Sequence, residues 1–174
     1  MPSRKRTPLP SFITERESAA GLVCIRTADE TDVQYVLDRA RKWSNEVGFI
    51  PASGMELLLS EGRGLVAEVN GELAGYLLTS GGLRTPLVVR HNTVEEALWE
   101  HGVGGVLMRA VLDWSAWTKR PRVLVRTRVD LLRQANINAS LGGIVLGTDQ
   151  NVGKRLKPVE IWSVPRDGTS LFAA

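Results

Sequence analysis

The chain has 174 residues, 43% of them apolar and 24% charged, with a formal net charge of +3. That size suits one compact domain, no apolar run approaches the roughly 18 residues of a membrane span, and the charge is too mildly basic for a dedicated nucleic-acid binder. Cys24 is the only cysteine, which excludes a disulfide scaffold and a cysteine-rich zinc site and suits a reducing cytoplasm.

Residues 1–19 hold Pro2, Pro8 and Pro10 beside Arg4, Lys5 and Arg6 and show no apolar period, so they are expected to form a loose basic arm. No apolar stretch follows the basic residues, as a secretory signal would require. "GLVCIRTA" (21–28) alternates as a first strand. Thr27 or Asp29 then offers a cap to a helix with Val33, Val36, Leu37, Ala40 and Trp43 on one side. "MELLLSEG" predicts a short second helix ended by glycine. "GLVAEVNGELAGYLL" places Asn70-Gly71 between two apolar runs, the pair that best supplies the positive φ angles of a tight hairpin.

"TPLVVRHNTV" (85–94) is the next β run. After Gly102, Gly104 and Gly105, a helix carries Val103, Val106, Leu107, Ala110, Val111, Trp114 and Trp117 on one stripe, leaving Arg109 and Asp113 outside. "RVLVRTRVD" predicts a strand, "LLRQANINAS" a helix, and "GGIVLGT" and "PVEIWSV" the closing strands. The expected folded domain spans 20–165, followed by a short tail over 166–174. The element order implies an α/β (α+β) mixed sheet with helices on both faces, because a strand–helix–strand crossover favours parallel neighbours. The basic groups Arg120/Arg122/Arg126/Arg128 and Lys154/Arg155/Lys157 are each ordinary solvated charge, yet together with the arm they leave an anionic partner, nucleic acid included, open.

The glycines at 102, 104 and 105 raise the central question. A helix entrance leaves its first N–H groups unbonded, and the helix dipole makes the position attractive to an anion, which glycine lets approach the backbone. In that setting "VEEALWEHGVGGVLM" resembles, in position and length, the phosphate loop of the GNAT superfamily of acyl-CoA-dependent N-acyltransferases. "VNGELAGYLL" is similar to that family's second hairpin, and "ANINASLGGIVLG" to its fourth helix and exit. The resemblance covers about residues 22–165. It implies a mostly antiparallel sheet of about seven strands, a cytoplasmic monomer or homodimer with no membrane segment, and direct transfer of an acyl group from acetyl-CoA, or another acyl-CoA, to a primary amine of a small molecule or protein. By it, the amides of Val103, Gly104 and Gly105 at the Gly102 turn would bind the CoA pyrophosphate. The main chain of Asn92, Thr93 and Val94 would pair with pantetheine, and Asn136 would reach the pantetheine amide. Trp99 stands where the family carries Arg or Gln and could pack under the loop at the cofactor, and His101, in the loop itself, could touch the anion.

The family's usual tyrosine on the fourth helix is absent, and the only tyrosines are Tyr35 and Tyr76. Acyl transfer to an amine needs a route for a proton and a proton for the thiolate. His91 at the end of the strand is the first candidate base, because its ordinary pKa suits one. The solvent-facing Glu95 and Glu96 are candidate water-relay bases and Glu68 a comparable one, Tyr76 could hydrogen-bond the acceptor, and Ser140, four residues from Asn136, could reach the sulfur. Cys24 lies in an apolar strand without a base and is not expected to be a nucleophile. No His and Asp/Glu spacing argues for a metal. Two other functions fit the same loop: a catalytically weak CoA-binding sensor, and an acyltransferase acting on a nucleic-acid base or a nucleic-acid-associated protein. A dinucleotide-binding fold is disfavoured, since its glycines follow the first strand.

Overall fold

The computed structural model describes residues 11, 13–81, 85–120, 122–150 and 157–165. Strands β1 (Ile13–Ser18), β2 (Gly21–Thr27), β3 (Gly64–Val69), β4 (Glu72–Ser80), β5 (Leu87–Val94), β6 (Val123–Arg128), β7 (Ile144–Asp149) and β8 (Val159–Val164) form one sheet in the order β1-β2-β3-β4-β5-β6-β8-β7. Neighbours are antiparallel throughout, except β5 and β6. Helices α1 (Val33–Lys42), α2 (Ser44–Val47) and α3 (Ala52–Ser60) precede β3, while α4 (Val103–Trp117) and α5 (Leu132–Ser140) flank β6 in sequence.

The β3–β4 hairpin turns on Asn70 (φ 54°) and Gly71 (φ 81°), as the sequence requires. Asp29, not Thr27, caps the short 3-10 turn Glu30–Asp32 that leads into α1: its side chain accepts from Thr31 N–H while Asp32 accepts from the Asp29 N–H. The two sheet faces carry separate cores. On one, α4 lays Val103, Leu107, Val111 and Trp114 over Val23, Leu65, Leu77 and Val125. On the other, α1 and α3 lay Val36, Ala40, Met55 and Leu59 over Val66, Tyr76 and Leu78. A sheet covered on both faces needs apolar residues at successive positions, which is why β3 and β4 read as nearly continuous apolar runs.

Two expectations are corrected. Residues 13–18, expected within a loose arm, are ordered instead: Ile13–Ser18 pairs with β2 as an edge strand and makes the sheet eight-stranded. Its sequence ITERES carries no apolar alternation, since main-chain bonds to β2 and the Arg16–Asp113 ion pair to α4 hold it without burial. The remainder of the arm with Arg4, Lys5 and Arg6, the residues Lys154 and Arg155, and the tail 166–174 lie outside the described residues. Trp117, placed on the buried stripe by its spacing, is 55% exposed at the last position of α4.

One irregularity in β5 sets the geometry of the site. Leu78 pairs with His91 but Thr79 pairs with Val89, so Arg90 is an extra, bulged residue. The bulge reverses the alternation of side chains. Val89 and Val94 both face α4, whereas His91 faces the α1–α3 side against Tyr76. It also ends the pairing with β6, which stops at Val89 and Val125.

Candidate active site

Beyond Val89 the two parallel strands part, and the gap is a cleft of about 350 Å³ walled by Asn92–Val94, Trp99, Gly104, the start of α5, and Trp43, Glu46 and Val47. Glu95 donates its N–H to the Ala74 carbonyl. Antiparallel bonding alternates, so the main chains of Thr93 and His91 turn toward β4 and those of Asn92 and Val94 turn into the gap. The Thr93 carbonyl indeed stands only 2.6 Å from where a Cβ on Gly75 of β4 would lie. In the gap, the Trp99 indole N–H donates to the Val94 carbonyl at 2.9 Å. Of the three strand residues expected to meet a ligand through the backbone, Asn92 and Val94 are therefore oriented to do so and Thr93 is not.

Gly102 enters α4 in the left-handed region (φ 81°), a conformation that excludes most side chains at no cost to glycine. The first bond inside α4 is donated by the Val106 N–H to the Gly102 carbonyl, so the amides of Val103, Gly104 and Gly105 stand ahead of the helix ladder. Gly104 lines the cleft, and a Cβ on Gly105 would meet no atom within 4 Å. Gly102 and Gly105 also line a shallow groove with Glu15, Arg16, Glu17 and Arg109. The helix entrance is thus open on both sides.

The polar wall of the cleft is a chain of amides that the sequence did not single out. The Asn92 Nδ2 donates to Gln134 Oε1 (3.0 Å), Gln134 Nε2 to Asn138 Oδ1 (2.9 Å), and Asn138 Nδ2 to Thr127 Oγ1 (3.1 Å). Asn138 is fully buried. Asn136 and Ser140 are instead exposed, and the Ser140 hydroxyl caps its own helix by donating to the Ile137 carbonyl. Only the i,i+4 spacing of Gln134 and Asn138 could have signalled the inward pair. Among the described residues the Asn92 Oδ1 and the Trp43 indole nitrogen are buried at this wall without a protein partner, leaving one acceptor and one donor for a ligand.

A second cleft of about 740 Å³ lies between Ser44–Ile50 and the strands β5, β6 and β8, lined by Arg90, His91, Arg126, Arg128 and Lys157. Glu46 and Val47 line both clefts, so the two adjoin at α2. His91 lines its floor, and behind it the fully buried Tyr76 hydroxyl lies 3.1 Å from His91 Nδ1. Burial pushes the Tyr76 pKa up to about 12, against a smaller opposing effect from Thr93. Burial also pushes His91 down to about 4; the Gly48 main chain acts against this and the Arg90 charge adds to it. The tyrosine therefore keeps its proton and the ring is neutral, and the direction of the bond between them follows the ring's tautomer.

The other expected acids and bases are held elsewhere. Glu68 accepts from Arg26 Nε at 2.9 Å, and Arg26 also grips Asp32, so this carboxylate belongs to an ion-pair network between β2, β3 and α1. Glu95 does not face solvent: it accepts from the Tyr35 hydroxyl at 2.8 Å and pairs with Arg39, tying α1 to the loop after β5. Exposed Glu96 pairs with Lys42 at 3.7 Å. His101 is exposed and lines none of these clefts. The thiol of Cys24 is half-buried, and burial followed by the charge of Glu68 raises its pKa, which keeps it protonated. Among the described residues no cluster of three or more His, Cys, Asp or Glu could hold a metal, and no helix is long and apolar enough to cross a membrane.

No protein-family model and no curated protein matches the chain. Solved structures do. Ard1 from Thermoplasma volcanium superposes with a TM-score of 0.72 at 18% identity, covering 82% of this chain and 97% of that one. The ribosomal-protein-S18-alanine N-acetyltransferase from Escherichia coli gives 0.70 at 15% identity over 82% and 93%. A putative acetyltransferase from Salmonella typhimurium, yncA, with its cofactor acetyl-CoA, gives 0.69 at 17% identity over 83% and 94%. Chains described as GNAT-family acetyltransferases match over a similar span. The chain has the GNAT acetyltransferase fold, as its glycine loop and element order led us to expect.

Proposed function

We propose that the protein is an acyl-CoA-dependent N-acyltransferase, and an acetyltransferase in the first instance, acting on a primary amine. The observation that supports this best is the conjunction of the parted β5 and β6 with the glycine entrance of α4, one giving an open strand edge and the other three free amides. The residues fit the cofactor. Val103, Gly104 and Gly105 would hold the pyrophosphate, and the main chains of Asn92 and Val94, with the Asn92 side chain, would hold pantetheine. When bound, acyl-CoA supplies an activated acyl thioester, whose transfer to an amine forms an amide and releases a thiol.

In this proposal the larger cleft at α2 receives the acceptor, a small-molecule or protein amine. His91 lines its floor, and the fully buried Tyr76 supports the ring from behind. Neither is tuned as a strong base near neutrality, since a catalytic base works best with a pKa near the working pH. The acceptor amine then enters the reaction through its own neutral fraction. Rate should rise with pH following the amine, without an inflection near the ordinary histidine value. The reducing cytoplasm, which a sequence with a single cysteine suits, is the proposed compartment.

The test is thiol release and amide formation from acetyl-CoA with a panel of amines and amino-terminal peptides. Turnover that depends on the amine supports the transferase. Tight acetyl-CoA binding with no transfer to any amine would favour a CoA-binding sensor built on the same fold.

A further inference from the structure

We infer that Arg133, held by stacking on Trp99, is an anion-binding residue of the parted-strand cleft and takes the phosphate end of its ligand. The inference rests on the CoA proposal above. Arg133 stands in the first turn of α5, exposed, with its guanidinium carbon 3.9 Å above the Trp99 ring. An exposed arginine normally samples many rotamers, and fixing one costs entropy. Here its platform is rigid. The Trp99 nitrogen is bonded to the Val94 carbonyl, and its ring lies 5.1 Å from that of Trp43. Stacking uses the face of the guanidinium and leaves the N–H donors at its edge free, the geometry that suits bidentate contact with phosphate.

The charge is also available. Among the described residues Arg133 has no carboxylate partner, although Glu46 and Asp130 line the same cleft. Asp130 is taken by Arg128 and Lys157. The position matches the glycine entrance. Ile137, one turn further on the same face of α5, places its Cδ1 3.3 Å from where a Cβ on Gly104 would lie. Gln134 holds Asn92, whose amide reaches the Gly104 carbonyl at 3.4 Å. A phosphate resting on the amides of Gly104 and Gly105 would lie within reach of a long cationic side chain one turn away. Trp99 carries no charge itself, so its contribution is to position the arginine.

Calorimetry with CoA and with pantetheine, which lacks the phosphates, tests this. Arg133→Gln is an exposed substitution and should keep the wild-type melting temperature. It should weaken CoA about tenfold and leave pantetheine unchanged. Trp99→Leu should weaken CoA comparably, and the double variant should lose little more than either single one, because both remove the same contact. Arg133→Gln binding CoA like wild type, or losing pantetheine equally, overturns the phosphate contact. A folded Trp99→Leu chain with wild-type CoA affinity overturns the stacking. A wild-type chain that binds neither ligand overturns the CoA proposal and this inference with it.

Discussion

Replacing Gly104 by valine should abolish CoA binding in practice, weakening it by about a hundredfold, roughly 3 kcal/mol, while the protein remains folded. The added Cβ would lie 3.3 Å from Ile137 Cδ1 and 3.6 Å from Val94 Cγ2, contacts that the end of an isoleucine can relieve. Valine is also no worse a helix former than glycine, so the melting temperature should move by only a few degrees. The cleft itself is different. Gly104 lines it beside Asn92 and Val94, and a branched side chain there would stand between the ligand and the amides of α4. Titration calorimetry and a thermal melt on one preparation separate the two effects. Normal CoA affinity in Gly104→Val would refute the phosphate-cradle assignment.

The second large effect is on stability. His91 is buried, and its folded pKa of about 4 lies below the ordinary 6.5 of the unfolded chain. The unfolded state therefore binds the proton first as pH falls. The contribution of the neutral ring is complete above about pH 6.5, declines from there to about pH 4, and is gone below, a total of about 3 kcal/mol. Other carboxylates titrate over the same range, so the informative quantity is a difference. Wild-type stability minus that of His91→Gln should fall by about 3 kcal/mol between pH 7 and pH 4 and then level off. Parallel stability curves for the two proteins would show that His91 is not held neutral by burial.

The sequence was informative where local chemistry decides structure. Asn70-Gly71 specified a hairpin because few other pairs take two positive φ angles. The glycines at 102, 104 and 105 marked the helix entrance for a similar reason. It was uninformative where tertiary packing decides orientation. In α5 polar residues stand at 134, 136, 138 and 140, and positions two apart lie on nearly opposite helix faces. With polar groups on both faces the pattern could not say that Gln134 and Asn138 turn inward and Asn136 and Ser140 outward.

The bulge at Arg90 was equally hidden. No glycine or proline marks it, yet it turns His91 to the α1–α3 face and opens the strand edge on which the proposed ligand site depends. Trp99, at odds with the family's loop pattern, proved to be a bonded platform between Val94, Trp43 and Arg133. Side-chain spacing along one loop cannot show that a cation from another helix stands above it.

The central claim is that the α4 entrance and the parted strands bind acyl-CoA. The most direct measurement is the melting temperature of the wild-type chain across an acetyl-CoA titration. A ligand specific for the native state at about a hundred times its Kd stabilises by about 2.7 kcal/mol, which for a domain of this size raises the melting temperature by roughly 5–10 °C. That rise, saturable and absent in Gly104→Val, is the predicted result. An unchanged melting temperature at millimolar acetyl-CoA would contradict it.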